Sequence, residues 1–267
     1  MAWAPSADAA AASRPLRTRA NFNADWRFRL GTVDGGERPD FDDRSWEHVG
    51  LPHSFSIPYF RAPDFYTGDG WYRKSFVIPS GPPGRRYSLE FEGAFQDARV
   101  YVNGVELAHH RGGYTGFPVD ITPAARPGRN VVAVKVNNDW SATLAPRAGE
   151  HVFSGGLYRD VWLVSTDAVH VPWTGARVTT PDLSAASGKV RVDTEVSNSG
   201  AVPVEVTVDT RIVDDKGAVV ATLPKGHVRL APGGMRIVSQ LSAPIEKPRL
   251  WSPDTPVLYR AVTRLSV

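Results

Sequence analysis

The 267-residue chain contains no cysteine, which removes at once a disulfide framework, a thiolate metal site and a thiol nucleophile. It has almost no net charge: 31 Lys and Arg against 28 Asp and Glu give +3. The basic residues are scattered, with no run that would form the stripe a phosphate backbone needs, so nucleic acid is not an expected partner. No window of 18 apolar residues occurs, which excludes an apolar helical membrane span. The leader "MAWAPSADAAAASRPLRTRA" is rich in alanine, but Pro5, Asp8 and Ser13 interrupt it. It lacks the continuous apolar core of a signal peptide, reads as a flexible segment over residues 1–20 and leaves the compartment undecided. Also missing are a glycine-rich phosphate loop, a Gly-x-Ser-x-Gly elbow and a His-Glu-x-x-His zinc motif.

What is present is turn-forming and strand-forming sequence. With 24 Gly, 22 Pro and 42% hydrophobic residues, the composition fits a turn-rich, all-β chain long enough for two domains. From Asn21 onward short alternating runs recur between turn signals. Trp26, Phe28 and Leu30 share one strand face in "DWRFRLG". Tyr87, Leu89 and Phe91 do the same in "RRYSLEFEG", leaving Ser88, Glu90 and Glu92 on what reads as a solvated face. In "ARVYVNGVELAHH" the pair Asn103-Gly104 marks a two-residue hairpin turn, since both positions tolerate positive φ. His109 and His110 follow as strand neighbours that point to opposite faces and cannot jointly hold a metal. In "GGYTGF" the glycines permit a tight backbone, and Tyr114 and Phe117 are expected to pack.

"STDAVHVPWTG" reads as the crossing into a second unit. Beyond it aromatics thin out and Val/Thr alternation takes over, aligning Val190, Val192, Thr194 and Val196, then Val204, Val206, Val208, Thr210 and Ile212. That spacing predicts an immunoglobulin-like sandwich without its disulfide over residues 169–267.

Eight tryptophans are many for this length. Trp26, Trp71 and Trp162 lie in strand patterns and are expected in the core or between strands. Trp140 lies in the loop "NNDWSATLAPRAGEHVFSGG" and is the better candidate to stack on a sugar ring, because loops carry a disproportionate share of binding residues. Asn138, Asp139 and His151 border the same loop and join it as candidate substrate contacts.

Five motifs in order, "LPHSF", "GDGWYRKSFVIP", "LEFEGAFQDARVYVNGVELAHHRGGYTGFPVDIT", "NVVAVKVNN" and "SGGLYRDVWLV", resemble the N-terminal sugar-binding domain of glycoside hydrolase family 2, which includes β-galactosidases, β-glucuronidases and β-mannosidases. The later segment, with "RLWSPDTPVLYRAVTRLSV" near its end, is similar to the immunoglobulin-like domain that follows it there. The resemblance implies a jelly-roll sugar-binding domain over residues 21–168, then the immunoglobulin-like domain, and a β-glycoside as partner. It implies that Asp160, in "YRDVWL", reaches toward the substrate, directly or through a sodium ion in the full-length enzyme; no other cofactor is implied. An ionised carboxylate accepts two hydroxyl hydrogen bonds at once, which suits a vicinal diol. The alternative for Asp160 is a pair with Arg159 or a turn cap, and adjacent strand residues diverge.

In that family a third, TIM-barrel domain supplies two catalytic glutamates, one in an Asn-Glu motif. The sequence contains no Asn-Glu dipeptide and reaches Val267 before any barrel signature. Retaining glycosidases need two carboxyl groups about 5 Å apart, and no convincing pair is visible. No catalytic residue is therefore assigned; the chain is expected to be the non-catalytic N-terminal region of such an enzyme, inactive alone. A stand-alone carbohydrate-binding module and a purely structural, assembly-forming sandwich pair are the other readings. Homo-oligomer formation is left open, and a periplasmic or secreted location fits a carbohydrate-degrading enzyme.

Overall fold

A computed structural model describes residues 17–56, 66–81, 84–145 and 154–267. The described residues contain strands and no helix, and every strand pairing is antiparallel. The first body contains β1 (Thr18–Asn21), β2 (Trp26–Leu30), β3 (Glu47–Val49), β4 (Asp69–Ile78) and β5 (Arg86–Phe91). It continues with β6 (Asp97–Val102), β7 (Val105–Arg111), β8 (Phe117–Asp120), β9 (Gly128–Asn137) and β10 (Val161–Thr166). A four-stranded sheet β1-β10-β5-β8 packs on a six-stranded sheet β3-β2-β4-β9-β6-β7. Its first strand starts at Thr18, so Thr18 to Ala20, read from sequence as leader, are sheet residues paired with β10.

Alternation puts the core between the two sheets. In β6, Ala98, Val100 and Val102 are fully buried while Asp97, Arg99 and Tyr101 face out. β4 and β9 pair over ten residues and contribute Tyr72, Phe76, Val132, Val134 and Val136 to a core shared with Trp26, Leu89, Phe91 and Leu157. A smaller cluster of Trp46, Trp71 and Ala133 lies on the outer side of the large sheet. The buried Arg73 roofs it, bonding Asp43 at 2.9 Å and the Arg38 carbonyl at 3.1 Å, with a further bond to the Gly36 carbonyl. The Asn103-Gly104 turn joins β6 to β7 with φ of 50° and 86°, the positive values such a turn demands.

The second body contains β11 (Val169–His170), β12 (Ala176–Thr179), β13 (Ser187–Gly188), β14 (Arg191–Asn198) and β15 (Val204–Val213). It ends with β16 (Val219–Thr222), β17 (Gly226–Leu230), β18 (Met235–Leu241), β19 (Ile245–Glu246) and β20 (Arg260–Ser266). In one layer β14 pairs with β18 on one side and with β11 and β12 on the other. In the facing layer β15 pairs with β16, β17 and β20. Val192, Thr194 and Val196 meet Val206, Val208, Thr210 and Ile212 as the buried faces, the alignment that the sequence pattern predicts.

Two sequence expectations on the first body change. Glu90 is 2% exposed, because Arg17 and Arg19 from β1 and the residue preceding it close over it at 3.4 and 3.2 Å; the face read as solvated is covered. Tyr114 is 63% exposed while Phe117 is buried, since only Phe117 sits on a strand whose side chain points between the sheets.

The core also fixes a titratable group. Leu157 N–H donates to the Tyr72 hydroxyl at 3.4 Å, and that hydroxyl lies 2.8 Å from His53 Nδ1. Burial lowers the His53 pKa from 6.5 to about 4 and pushes the Tyr72 hydroxyl up. The unfolded chain then takes up a proton near pH 6.5 that the folded chain refuses until about pH 4. The stabilisation from neutral His53 is fully present above pH 6.5 and is lost as pH falls toward 4. We expect the thermal midpoint to drop across that window, by up to roughly 3 kcal/mol in stability, and expect His53→Gln to flatten this part of a denaturation-versus-pH series.

Candidate functional site

The segments following β5, β7 and β9 converge at one end of the first sandwich, and the long β9–β10 connection is fastened into it from both sides. Phe95 and Gly156 exchange two backbone hydrogen bonds, at 2.9 and 3.2 Å. His53 N–H reaches the Leu157 carbonyl at 2.8 Å, and Ser54 Oγ reaches the Ser154 carbonyl at 3.0 Å. The Tyr158 hydroxyl donates to the Gly113 carbonyl. Glu92 N–H donates to the Asp160 carbonyl at 2.9 Å, so Asp160 is registered against the end of β5 just before β10 begins.

This close lamination is why "SGG" precedes the strand. Gly156 has φ of +107°, and a Cβ there would stand 2.6 Å from the His53 carbonyl and 2.7 Å from the Tyr72 hydroxyl. At Gly155, with φ of +65°, it would stand 2.3 Å from the Phe55 ring. At Gly156 the clash is with backbone, which cannot yield; at Gly155 it is with the buried Phe55 ring, and the positive φ adds strain for any other residue at both positions.

Asp160 is half-buried, and its neighbours settle its orientation. Arg159 does not pair with it; the Arg159 guanidinium points to Glu92, 3.9 Å away. Asn23 Nδ2 donates to Asp160 Oδ1 at 2.9 Å, while Asn23 Oδ1 accepts the Val161 N–H at 2.9 Å. Asn23 thus clips the start of β10 and turns the carboxylate at the same time. Its own turn is fixed by Asn21 Oδ1 on its N–H at 3.0 Å and by Lys74 Nζ on the carbonyls of Phe22 and Ala24 at 3.0 and 2.7 Å. Asp160 Oδ2 has no partner among the described residues.

The other candidates occupy different roles. Asn138 is fully buried; its side chain accepts the Gly68 N–H at 2.9 Å and donates to the Tyr66 carbonyl at 2.8 Å, tying the β9–β10 connection to the entry of β4. Asp139 is exposed and receives Asn137 Nδ2 at 3.0 Å. Its carbonyl is held by the buried Gln96 side chain at 2.6 Å. Trp140 is 59% exposed. His151 lies outside the described residues. Trp162, read from sequence as a core or inter-strand residue, faces outward: the Arg19 guanidinium lies 3.8 Å from its ring centroid, and its Nε1 donates to Glu92 Oε1 at 2.9 Å.

Asn23 and Gln96 are the residues that sequence reasoning missed. Asn23 bonds a residue 137 positions away, so no local pattern could announce it; only the Asn-rich turn "NFNAD" hinted at a side chain committed to backbone. Among the described residues no three His, Cys, Asp or Glu side chains come together, and of the groups a sodium ion could use at this end Asp160 offers one carboxylate oxygen without a described partner.

Residues 32–167 match the sugar-binding domain of glycosyl hydrolases family 2, and residues 176–267 match a second domain of that family. The chain belongs to glycosyl hydrolase family 2. A β-galactosidase of Bacteroides ovatus is 33% identical over 93% of the chain and 30% of its own length. A β-glucuronidase of Formosa agariphila is 32% identical over 93% of the chain and 28% of its own length. The solved β-glucuronidase of Bacteroides uniformis superposes with a TM-score of 0.87 at 31% identity, over 93% of the chain and 30% of that structure. This family 2 chain therefore spans about 30% of the length of these relatives, corresponding to their sugar-binding and immunoglobulin-like domains and so to a non-catalytic region.

Two substitutions test the architecture. Gly156→Ala should cost about 2 kcal/mol or more, from the strained φ and the backbone clash, read as a lowered denaturant midpoint at unchanged m-value. Asn23→Ala should cost about 1–2 kcal/mol by orphaning the Val161 N–H. In amide exchange the loss should concentrate at the start of β10.

Proposed function

We propose that this chain is the N-terminal region of a retaining β-glycosidase of the β-galactosidase or β-glucuronidase kind, contributing one wall of the sugar site and the scaffold beneath it. The observation that carries this reading is the state of Asp160. One carboxylate oxygen is anchored by Asn23 and the other has no partner among the described residues, on a strand start that is itself pinned to β5. A carboxylate held that way offers a sugar hydroxyl an oriented, charge-assisted acceptor without paying to order a flexible side chain. Asn138 and Gln96 act behind it by fixing the segment that presents Asp139 and the 59% exposed Trp140. A sodium ion, where one binds, would take Asp160 Oδ2 from this chain and its remaining ligands from elsewhere.

The chemistry of glycoside cleavage is assigned to polypeptide outside this chain. Cleavage with retention needs a proton donor and a nucleophilic carboxylate facing one another across the bond, whereas Asp160 is a single acid whose nearest polar partners are amides. The exposed Trp140 also favours a second reading, a carbohydrate-binding module that holds sugar without turnover.

We expect the purified 267-residue chain to release no chromophore from aryl β-galactosides or β-glucuronides; turnover by it would overturn the assignment. In the longer enzyme, Asp160→Ala should lower kcat/KM about 10- to 100-fold, the value of one lost charge-assisted hydrogen bond, with the loss mainly in KM. Calorimetric titration of the isolated chain with galactose and glucuronic acid separates the readings, since millimolar or tighter binding abolished by Trp140→Ala indicates the autonomous module.

A further inference from the structure

The outer face of the smaller sheet and the crossing segment enclose a polar cleft. Register places Asp120, Ser88 and Val164 in one row across β8, β5 and β10, and Arg86 opposite Thr166 in the next. Facing them are His170 to Trp173 of the crossing segment and Ser199 of the turn after β14. The space between is about 330 Å³, within the range of small-ligand pockets, about 300–1,000 Å³. Thr166 stands at the far end of β10 from Asp160, about 20 Å away at the rise of a strand.

The charged groups of the lining are already in balance. Arg17 lies 3.4 Å from Glu90, and Arg86 is bonded to Asp120, so with His170 neutral the four charges sum to zero. The hydroxyl groups are not satisfied in this way. Among the described residues the side chains of Ser88, Thr166 and Ser199 make no hydrogen bond. Thr166 is 8% exposed, and a hydroxyl buried to that degree normally has a partner. Because Thr166 lines the cleft, the partner it lacks is one that would sit there. His170 donates Nδ1–H to the Ala168 carbonyl at 3.1 Å, which makes Nε2 of the neutral ring an acceptor. Apolar surface from Trp173, Pro118, Pro172 and Val164 lies between these groups.

We propose that this cleft is a carbohydrate site separate from Asp160, taking one neutral pyranose unit. The lining selects that class. A phosphate or uronate would sit beside Glu90 and Asp120, and a cation beside Arg17 and Arg86. An apolar molecule would leave the buried Thr166 hydroxyl without a partner. A pyranose carries hydroxyls that both donate and accept, around C–H surfaces that suit Trp173 and the two prolines. It gives Thr166 and Ser88 the partners they lack. The Arg17–Glu90 and Arg86–Asp120 pairs, each holding its own members in place, supply oriented charge-assisted contacts.

The test is a backbone amide NMR titration of the 267-residue chain carrying Asp160→Ala and Trp140→Ala, so that binding at the other end of the first sandwich does not register. The probes are methyl β-D-galactopyranoside and methyl β-D-glucopyranoside. Shifts should cluster at Ser88, Thr166, His170 and Ser199 and saturate with a dissociation constant of about 1–10 mM for at least one probe. Thr166→Val keeps the side-chain shape, removes the hydroxyl and should weaken binding about 3- to 10-fold. Ser199 is exposed at the rim, so Ser199→Trp should fill the mouth without disturbing the core and abolish binding. Three results would each overturn the proposal: no shift at these residues with either probe at about 50 mM, affinity unchanged by both substitutions, or tighter binding there of glucuronate or inorganic phosphate than of the neutral sugars. Because Asp160 and Trp140 are replaced throughout, this reading and the one resting on Asp160 can fail separately.

Discussion

The two backbone hydrogen bonds between Phe95 and Gly156 are the constraint on which the placement of Asp160 and the start of β10 depends. The β9–β10 connection covers more than twenty residues, far longer than most links within a compact domain. Left to itself it would deliver the start of β10 with no defined register. The bridge joins it to the short link between β5 and β6, one of the points where the chain crosses from one sheet to the other. Because that link is short, its position is dictated by the cores of both sheets, and the bridge passes that rigidity to Leu157, Asp160 and Val161. The fully buried Leu157 then drives its own side chain into the core, so apolar burial and backbone pairing enforce one placement.

Electrostatics performs a comparable task on the outer face of the smaller sheet. Glu90 is withdrawn from water on a strand that joins the core, a placement that costs several kcal/mol unless the charge is paired. Arg17 and Arg19 provide the pairing, and Arg17 also donates to the Val171 carbonyl at 2.8 Å. One guanidinium therefore neutralises a buried acid of the first sandwich and grips the backbone of the crossing segment. Trp173 comes against the same face, close enough that a Cβ on Gly116 would lie 2.5 Å from its ring. The junction is thus set by specific contacts between the crossing segment and a strand face, and Arg17 takes part both in it and in the pairing of Glu90.

Much of the fold was legible because alternation is a physical signal of a half-buried strand. Val190 to Val196 and Val204 to Ile212 read correctly since both faces of those strands have unambiguous fates. Glu90 did not, because a carboxylate opposite a buried leucine looks solvated until a strand 70 residues earlier places two arginines over it. Trp162 took the second of its two expected places: it packs across strands, its ring under Arg19 of β1 and outside the core. In the site, the candidate positions near residues 138–140 and Asp160 could be picked from their loops and from resemblance. What each side chain does there was not readable. The burial of Asn138 and the grip of Asn23 on Asp160 are products of loops meeting in three dimensions.

The distribution of fixed and unengaged polar groups separates scaffold from contact. Asn138 spends its carbonyl and amide on the backbone at residues 66 and 68; Asn23 spends its carbonyl on Val161 and its amide on Asp160. Each is an amide, able to donate and accept at once without carrying charge into a buried place. Asp160 is the charged member, half-buried, with one oxygen spent and one kept. An acid with both oxygens satisfied internally would be a structural residue, and one with neither fixed would have to be ordered by its ligand at a cost in binding free energy. The intermediate arrangement is what a rigid wall needs to present a single directed acceptor. It does not pair a proton donor with a facing nucleophile, the arrangement that glycoside cleavage with retention requires.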